Sequence, residues 1–365
     1  MAYVAARGGE RAIEQAERMH RARAGAITPA RVAELEAALP DLIDRVMGEA
    51  SLYAPDLAAL ALAQSAGDLY EAILLLRAWR TTQPRLQIAE PVRQEESFTH
   101  RRISAAFKEI PGGQILGPTL DYSHRVLATE VLDGRTFAPE PVAPAPRPAP
   151  ARHPSLARWQ KAQGLVAEIE AQPVEKDDIP DVTREPLLFP ASRAHALQSL
   201  ARADTGGLLT LGYAAMRGYG NAHPTVNELR LSEADLRVRH PSGVVFRAGR
   251  VRASQAEVVT AKSAGGLTLG FAATLGWNEV KVIAAATLDL NAAGAPKTSP
   301  VNEEFTLYHT EPVEASGFCI HFKLPHYVTF QSALDALRGA AAIDPAAKAD
   351  PAPSAAESAP AQEPA

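Results

Sequence analysis

Residues 236–261 read LRVRHPSGVVFRAGRVRASQAEVVTA. Three stretches within it, LRVRH, GVVFRAG and RVRASQAEVVTA, alternate apolar with polar side chains. A period of two is the pattern of strands with one face buried. Pro241-Ser242-Gly243 supplies a turn between the first two. The segment therefore predicts an antiparallel meander, and it decides the fold class because most of the remaining pattern is helical.

Toward the C-terminus, WNEVKVIAAATLDL (277–290) predicts a helix. Asn278 is placed as its cap, and Val280, Ile283, Ala284 and Leu288 share one face. Toward the N-terminus, ERAIEQAERMHRAR follows a Gly-Gly pair and is rich in helix formers. Thr28-Pro29 is a capping residue followed by proline at the first helical position. Pro40 kinks or ends that helix. A long apolar run starts at Pro55 and is broken in two by Gly67. The expected class is α+β, with a helical N-terminal half and a mixed antiparallel-strand and helix C-terminal half.

The 365 residues, 46 % of them apolar, suffice for more than one core. The expected organisation is a helical region over 1–137, a proline-rich spacer and linker over 138–186, an α+β region over 187–340 and a disordered tail over 341–365. The spacer APEPVAPAPRPAPARHP favours extended polyproline II, and a short helix is expected around 156–170. The tail has no large apolar residue from Pro345 onward and cannot offset its ordering entropy by burial. A net charge of −5 argues against nucleic acid as a partner. No apolar run is long enough to span a bilayer, and the first residues lack a signal-peptide core. The single cysteine, Cys319, suits a reducing compartment, so a cytoplasmic location is expected.

Four segments could carry chemistry. In HFKLPHY (321–327), His321 and His326 stand five apart. In a helix they would point roughly 140° apart, and in a strand to opposite faces. Pro325 favours a bent loop in which they can converge. That interval is a known zinc-ligand spacing, with Cys319 as a local third candidate. A pair of ordinary hydrogen-bonding histidines fits the same residues. In RGYGNAHP (217–224), Arg217 can clamp a phosphate, Tyr219 can stack on a base or sugar, and His223 lies beside them. A glycine-rich turn before Pro224 is the plainer reading. In KEIPGGQILGPTLDYSHR (108–125), Lys108, Asp121, His124 and Arg125 can converge on a polar ligand, although no Walker A spacing is present. In NEEFTLYH (302–309), Glu303 and Glu304 are adjacent carboxylates suited to Mg2+ or acid–base work, or simply to an exposed acidic turn.

Taken in order, AYVAARGGERAI, LLLRAWRTT, RRISAAFKEIPGGQILGPTLDYSHR, RGYGNAHP, NEEFTLYH, EASGF and HFKLPHY resemble the I subunit of the bacterial carbon–phosphorus lyase system. The resemblance runs from Ala2 to about Leu337. The spacer, the tail and Cys319 depart from the family pattern. The resemblance implies a subunit of the phosphonate-degrading core complex. With G, H and L partners it would displace adenine from MgATP by methylphosphonate, giving α-D-ribose 1-methylphosphonate 5-triphosphate. Alone it would act as a purine-nucleotide nucleosidase. A J partner, a radical SAM enzyme, would lie beside it, with a zinc site at His321 and His326. N-glycosidic cleavage builds positive charge on the ribose, which Glu303, Glu304 or Asp121 could stabilise. Lys108, Arg125 and Arg217 are then candidates for the triphosphate and its Mg2+. The competing reading is a non-catalytic scaffold whose apolar face over 56–79 docks a partner.

Overall fold

In a computed structural model of the chain, the described residues are 9–138, 140–141, 153–166, 179–220, 222–261, 265–292, 295–323 and 327–343. They fall into two units, one drawn from Met19–Ser316 and the other from Met1–Arg18 with Gly317–Ala365. The helical N-terminal half follows the proline and glycine punctuation. Helix α1 spans Gly9–Ala24, α2 Pro29–Ala38, α3 Pro40–Ala50, α4 Pro55–Gln64 and α5 Leu69–Thr82. Thr28 caps α2 through its side chain, and Pro40 begins α3 rather than kinking α2. Asp68, just past Gly67, caps α5. The inner faces of α3, α4 and α5 close one core around Ile43, Met47, Leu62, Ile73 and Leu76. The apolar run over 56–79 is therefore largely core, although Leu74 and Trp79 remain exposed.

The sheet is a four-stranded antiparallel meander in the order β1 (Phe98–Ile103), β2 (Thr225–Arg239), β3 (Val245–Ala261) and β4 (Leu267–Leu275). The turn at Pro241-Ser242-Gly243 joins β2 to β3, closed by His240 N donating to Val244 O at 2.8 Å. Two findings differ from the pattern reading. GVVFRAG and RVRASQAEVVTA are one continuous strand, and β2 begins eleven residues before LRVRH. Strand β1 lies just before the KEIPGGQ segment, where its charged residues hid it. Residues on both sides of the proline-rich spacer thus build one sheet. The spacer's 139 and 142–152, and the tail from 344, lie outside the described residues.

Later helices are α6 (Leu156–Ala162), α7 (Arg193–Arg202), α8 (Thr205–Ala214), α9 (Glu279–Ala292), α10 (Glu303–His309), α11 (Pro312–His321) and α12 (Tyr327–Ile343). Helix α6 stops well before 170, at a turn in which Gly164 has φ +69°. Helix α9 packs on β2, β3 and β4, where Val282, Ala285, Ala286 and Leu288 share one core with Leu229, Ala256, Val258 and Ala272. Val280 is 56 % exposed and does not belong to the buried face, whereas Lys281 and Val282 do. Asn278 stands at the cap position of this helix, where its backbone carbonyl accepts from Val282 N at 3.1 Å. Its amide donates to Asp44 O and Leu275 O.

The middle of β2 is buried from Asn227 to Ser232, although four of those six residues are polar. A carboxylate–guanidinium cluster makes this tolerable. Glu228 pairs with Arg102 at 2.9 Å and with Arg230, and accepts from Leu156 N at 3.1 Å. Arg102 also donates to Pro111 O, Gly113 O and Pro154 O, so the loop and the start of α6 are sewn onto the sheet. Beside it, Asn227 donates to Glu257 at 2.9 Å and exchanges hydrogen bonds with Gln160.

Burial, reinforced by the Glu228 charge, pushes the Glu257 carboxyl up to about 7. The folded protein therefore holds a proton on Glu257 that the unfolded chain releases near pH 4.5. Stability falls as pH rises between those values, by on the order of 3 kcal/mol. Glu257→Gln keeps the acceptor for Asn227 and should flatten that slope. Urea unfolding of both proteins across the window measures it.

Candidate functional site

A cleft of about 600 Å3 opens where the helical half meets the sheet. Its walls are Asp41 and Arg45 of α3, His100 of β1, the 118–121 loop, Thr205, Leu231 and the 277–281 junction between β4 and α9. Asp44, buried in α3, fixes that junction. Its carboxylate takes Arg252 of β3 at 2.6 Å and accepts from Trp277 N at 2.8 Å. Gly276 sits at φ +78°, and a Cβ there would come within 2.7 Å of Asp44. Across the cleft Gly117, at φ +66°, lets the loop close on β1, since a Cβ would lie 2.5 Å from His100 O. Both turns need glycine for conformation and for space.

The chemistry of the walls is uneven. At the mouth, buried Arg101 pairs with Glu279 at 2.7 Å and with Asp121, and Asp121 also meets Arg125 at 3.6 Å. Burial raises the Glu279 carboxyl above its usual range, Arg101 opposes this, and Asp121 and Asp41 add to it. Along one side His100 packs edge-on to Phe98 and lies 4.8 Å from the Trp277 ring. His100 also pairs with Glu233 at 3.2 Å. At the floor, Arg45 pairs with Glu49 at 2.9 Å and with Asp204 at 3.4 Å, and Thr205 donates to Glu49 through N and Oγ1. Lys281, 1 % exposed, has no hydrogen-bond partner for Nζ among the described residues.

Of the residues expected from sequence, Asp121 lines this cleft, and the exposed Arg125 meets Asp121 without lining it. Lys108 lies on the exposed loop, where its carbonyl accepts from Gln114 at 3.0 Å. Arg217, Tyr219 and His223 are exposed beside the far end of α9, where Asn291 accepts from Ala222 N. Asn291 is twelve residues along α9 from Glu279, roughly 18 Å of helix. Glu303 and Glu304 occupy the first turn of α10 behind the Asn302 cap, with the Arg193–Asp289 pair near Glu303. They do not line the cleft. His321 ends α11, with Nδ1–H donating to Phe318 O. Residues 324–326, including His326, lie outside the described residues, and with them the bend expected at Pro325. Among the described residues no three His, Cys, Asp or Glu side chains are grouped to hold a metal.

Sequence reading missed His100, Arg101, Trp277, Glu279 and Lys281. One signal was available: Lys281 interrupts the mainly apolar run VKVIAAATL. Also among the described residues, no helix is long and apolar enough to cross a membrane.

The family described as "Bacterial phosphonate metabolism protein (PhnI)" matches residues 2–342. The chain belongs to the PhnI family. It is 40 % identical over 352 residues to the alpha-D-ribose 1-methylphosphonate 5-triphosphate synthase subunit PhnI of Escherichia coli (strain K12), covering 92 % of this chain and 97 % of that protein. The protein of the same name from Rhizobium meliloti (strain 1021) is 38 % identical over 354 residues, 92 % of this chain and 94 % of that one. HtxH of Stutzerimonas stutzeri is 40 % identical over 362 residues, 93 % and 95 % respectively. The cleft is thus a feature of a PhnI-family chain matched along nearly its whole length.

Burial lowers the Lys281 ammonium to about 8, with Glu49 opposing and Arg77 and Arg45 adding to the shift. The unfolded chain holds that proton up to about pH 10.5. Stability should therefore rise with pH between those values, by roughly 3 kcal/mol. Lys281→Met should raise stability at pH 7 and abolish the rise, as read by chemical unfolding at successive pH values.

Proposed function

We propose that this chain is the subunit in which a purine is displaced from the ribose of MgATP by a phosphonate, giving α-D-ribose 1-methylphosphonate 5-triphosphate, and that the chemistry takes place in the Trp277 cleft. The relatives' names support the reaction class. One observation in this structure carries the location. A carboxyl group raised by burial, Glu279, stands with Asp121 around Arg101, next to the His100–Trp277 aromatic wall.

The parts suit the reaction. Departure of a purine leaves cationic character at the anomeric carbon, and a carboxylate beside the sugar stabilises it. Asp121 fills that role. Glu279, whose raised carboxyl retains its proton to higher pH, can protonate the leaving base. The aromatic wall offers the base an apolar surface. Arg101 holds both carboxyl groups in place. When water replaces the phosphonate, the same arrangement gives a nucleosidase.

The family's G, H, J and L subunits are the proposed partners. His321 and His326 are the proposed zinc pair. The Nδ1–H of His321 donates to a backbone carbonyl, a common second contact of metal-binding histidines. Two imidazoles leave the remaining ligands to another chain or to solvent.

Free adenine released from MgATP by the purified chain, read by chromatography, is the test. Glu279→Gln and Asp121→Asn should each lower the rate by about 100-fold. Glu303→Ala with Glu304→Ala should leave it nearly unchanged. Loss in that double variant with activity retained in Glu279→Gln would move the chemistry to α10. No release by a folded wild-type chain would favour the scaffold reading.

A further inference from the structure

We propose that the N-terminus of α9, together with Lys281, binds an oxyanion of tetrahedral phosphorus at the floor of the Trp277 cleft. Two independent observations meet there. The N–H groups of Glu279, Val280 and Lys281, in the first turn of a 14-residue helix, have no acceptor among the described residues. Such a terminus carries the equivalent of about half a positive charge. The Lys281 side chain, third in that helix, leans back toward the same end. Its ammonium is buried without a hydrogen-bond partner among the described residues. A buried ammonium with three unused donors is costly unless something accepts from it.

The charges around Lys281 explain why it is the group left over. From α3, Arg45 is committed to Glu49 and Asp204, and Glu49 takes Arg45 and both donors of Thr205 on Oε1 alone, which leaves its buried Oε2 as the one carboxylate oxygen near Lys281 with no hydrogen-bond partner among the described residues. From α5, Arg77 is committed to Glu311 and to Glu49 O. At the mouth, Arg101 ties up Asp121 and Glu279, and Asp41 adds a further carboxylate. An anion would settle below these carboxylates, against the α9 terminus. The ligand chemistry rests on the N-glycosidic reading, which supplies two sources: the incoming phosphonate or the phosphate tail of the nucleotide.

Calorimetric titration of the full chain with methylphosphonate and, separately, inorganic tripolyphosphate tests the site without requiring turnover. One probe should bind. Methylphosphonate would mark the floor as the nucleophile's place, and tripolyphosphate as that of the nucleotide tail. Because the Lys281 ammonium titrates near 8, binding at that pH should take up a proton, read from buffers of different ionisation enthalpy. Lys281→Met should weaken binding by about tenfold or more and remove the proton uptake, while Lys281→Arg should retain part of the affinity. The wild-type proton uptake alone keeps the test intact should either variant fail to fold. Binding of neither probe, binding without proton uptake, or unchanged affinity in folded Lys281→Met would overturn the proposal. Adenine release is measured apart from these titrations, so the reaction and the anion site can fail separately.

Discussion

The structure depends on one buried carboxylate. Glu228 sits on the central strand pair, 1 % exposed, and pairs with both Arg102 and Arg230, which are also buried. Each guanidinium then spends its remaining donors on backbone carbonyls of segments that have little apolar surface of their own. Arg102 gathers the loop at 111–113 and the chain before α6, and Arg230 gathers Gln94 O and His153 O. Buried ion pairs are weak sources of net stability, but removing one partner is expensive, typically about 3–5 kcal/mol. Their value here is positional. They hold irregular chain against β1 and β2 where a hydrophobic contact could not specify the register.

That positioning reaches the cleft through consecutive residues. Arg102 faces the buried cluster, while its neighbour Arg101 orders Asp121 and Glu279. The loop stapled by Arg102 at 113 continues through Gly117 into the wall at 118–121. From the other side Asp44 fixes the 276–278 turn and so the start of α9. Two buried carboxylates, one from the sheet and one from a helix, thus define the opposite sides of one polar cleft. For a PhnI-family chain this is a place where a charged, partly desolvated reaction can be held in a fixed geometry.

Much of the fold was legible because backbone constraints are written locally. Pro29, Pro40 and Pro55 start helices, Gly67 separates two, and Pro241-Ser242-Gly243 turns the hairpin. Strand β1 was not legible. FTHRRI is charged at its centre, and its arginines are buried only because Glu228, Glu279 and Asp121 come from elsewhere in the chain. The candidate site was half legible. Asp121 and Arg125 stood out among turn residues, but Glu279 and Lys281 looked like the polar positions of an amphipathic helix. Periodicity set the face of α9 at Val280, whereas packing placed it one residue on, around Lys281 and Val282. The RGYG and NEEF segments were conspicuous for their composition. Composition alone could not show that α9 keeps the first of them a helix length away from Asp121.

The central claim is that the Trp277 cleft holds the nucleotide at the bond to be broken. A structure of the assembled complex with a non-reactive purine nucleotide analogue tests it most directly. The account predicts the base against His100 and Trp277 and the ribose beside Asp121 and Glu279. A nucleotide bound instead beside Arg217 and Tyr219, with the Trp277 cleft filled only by water, would contradict it.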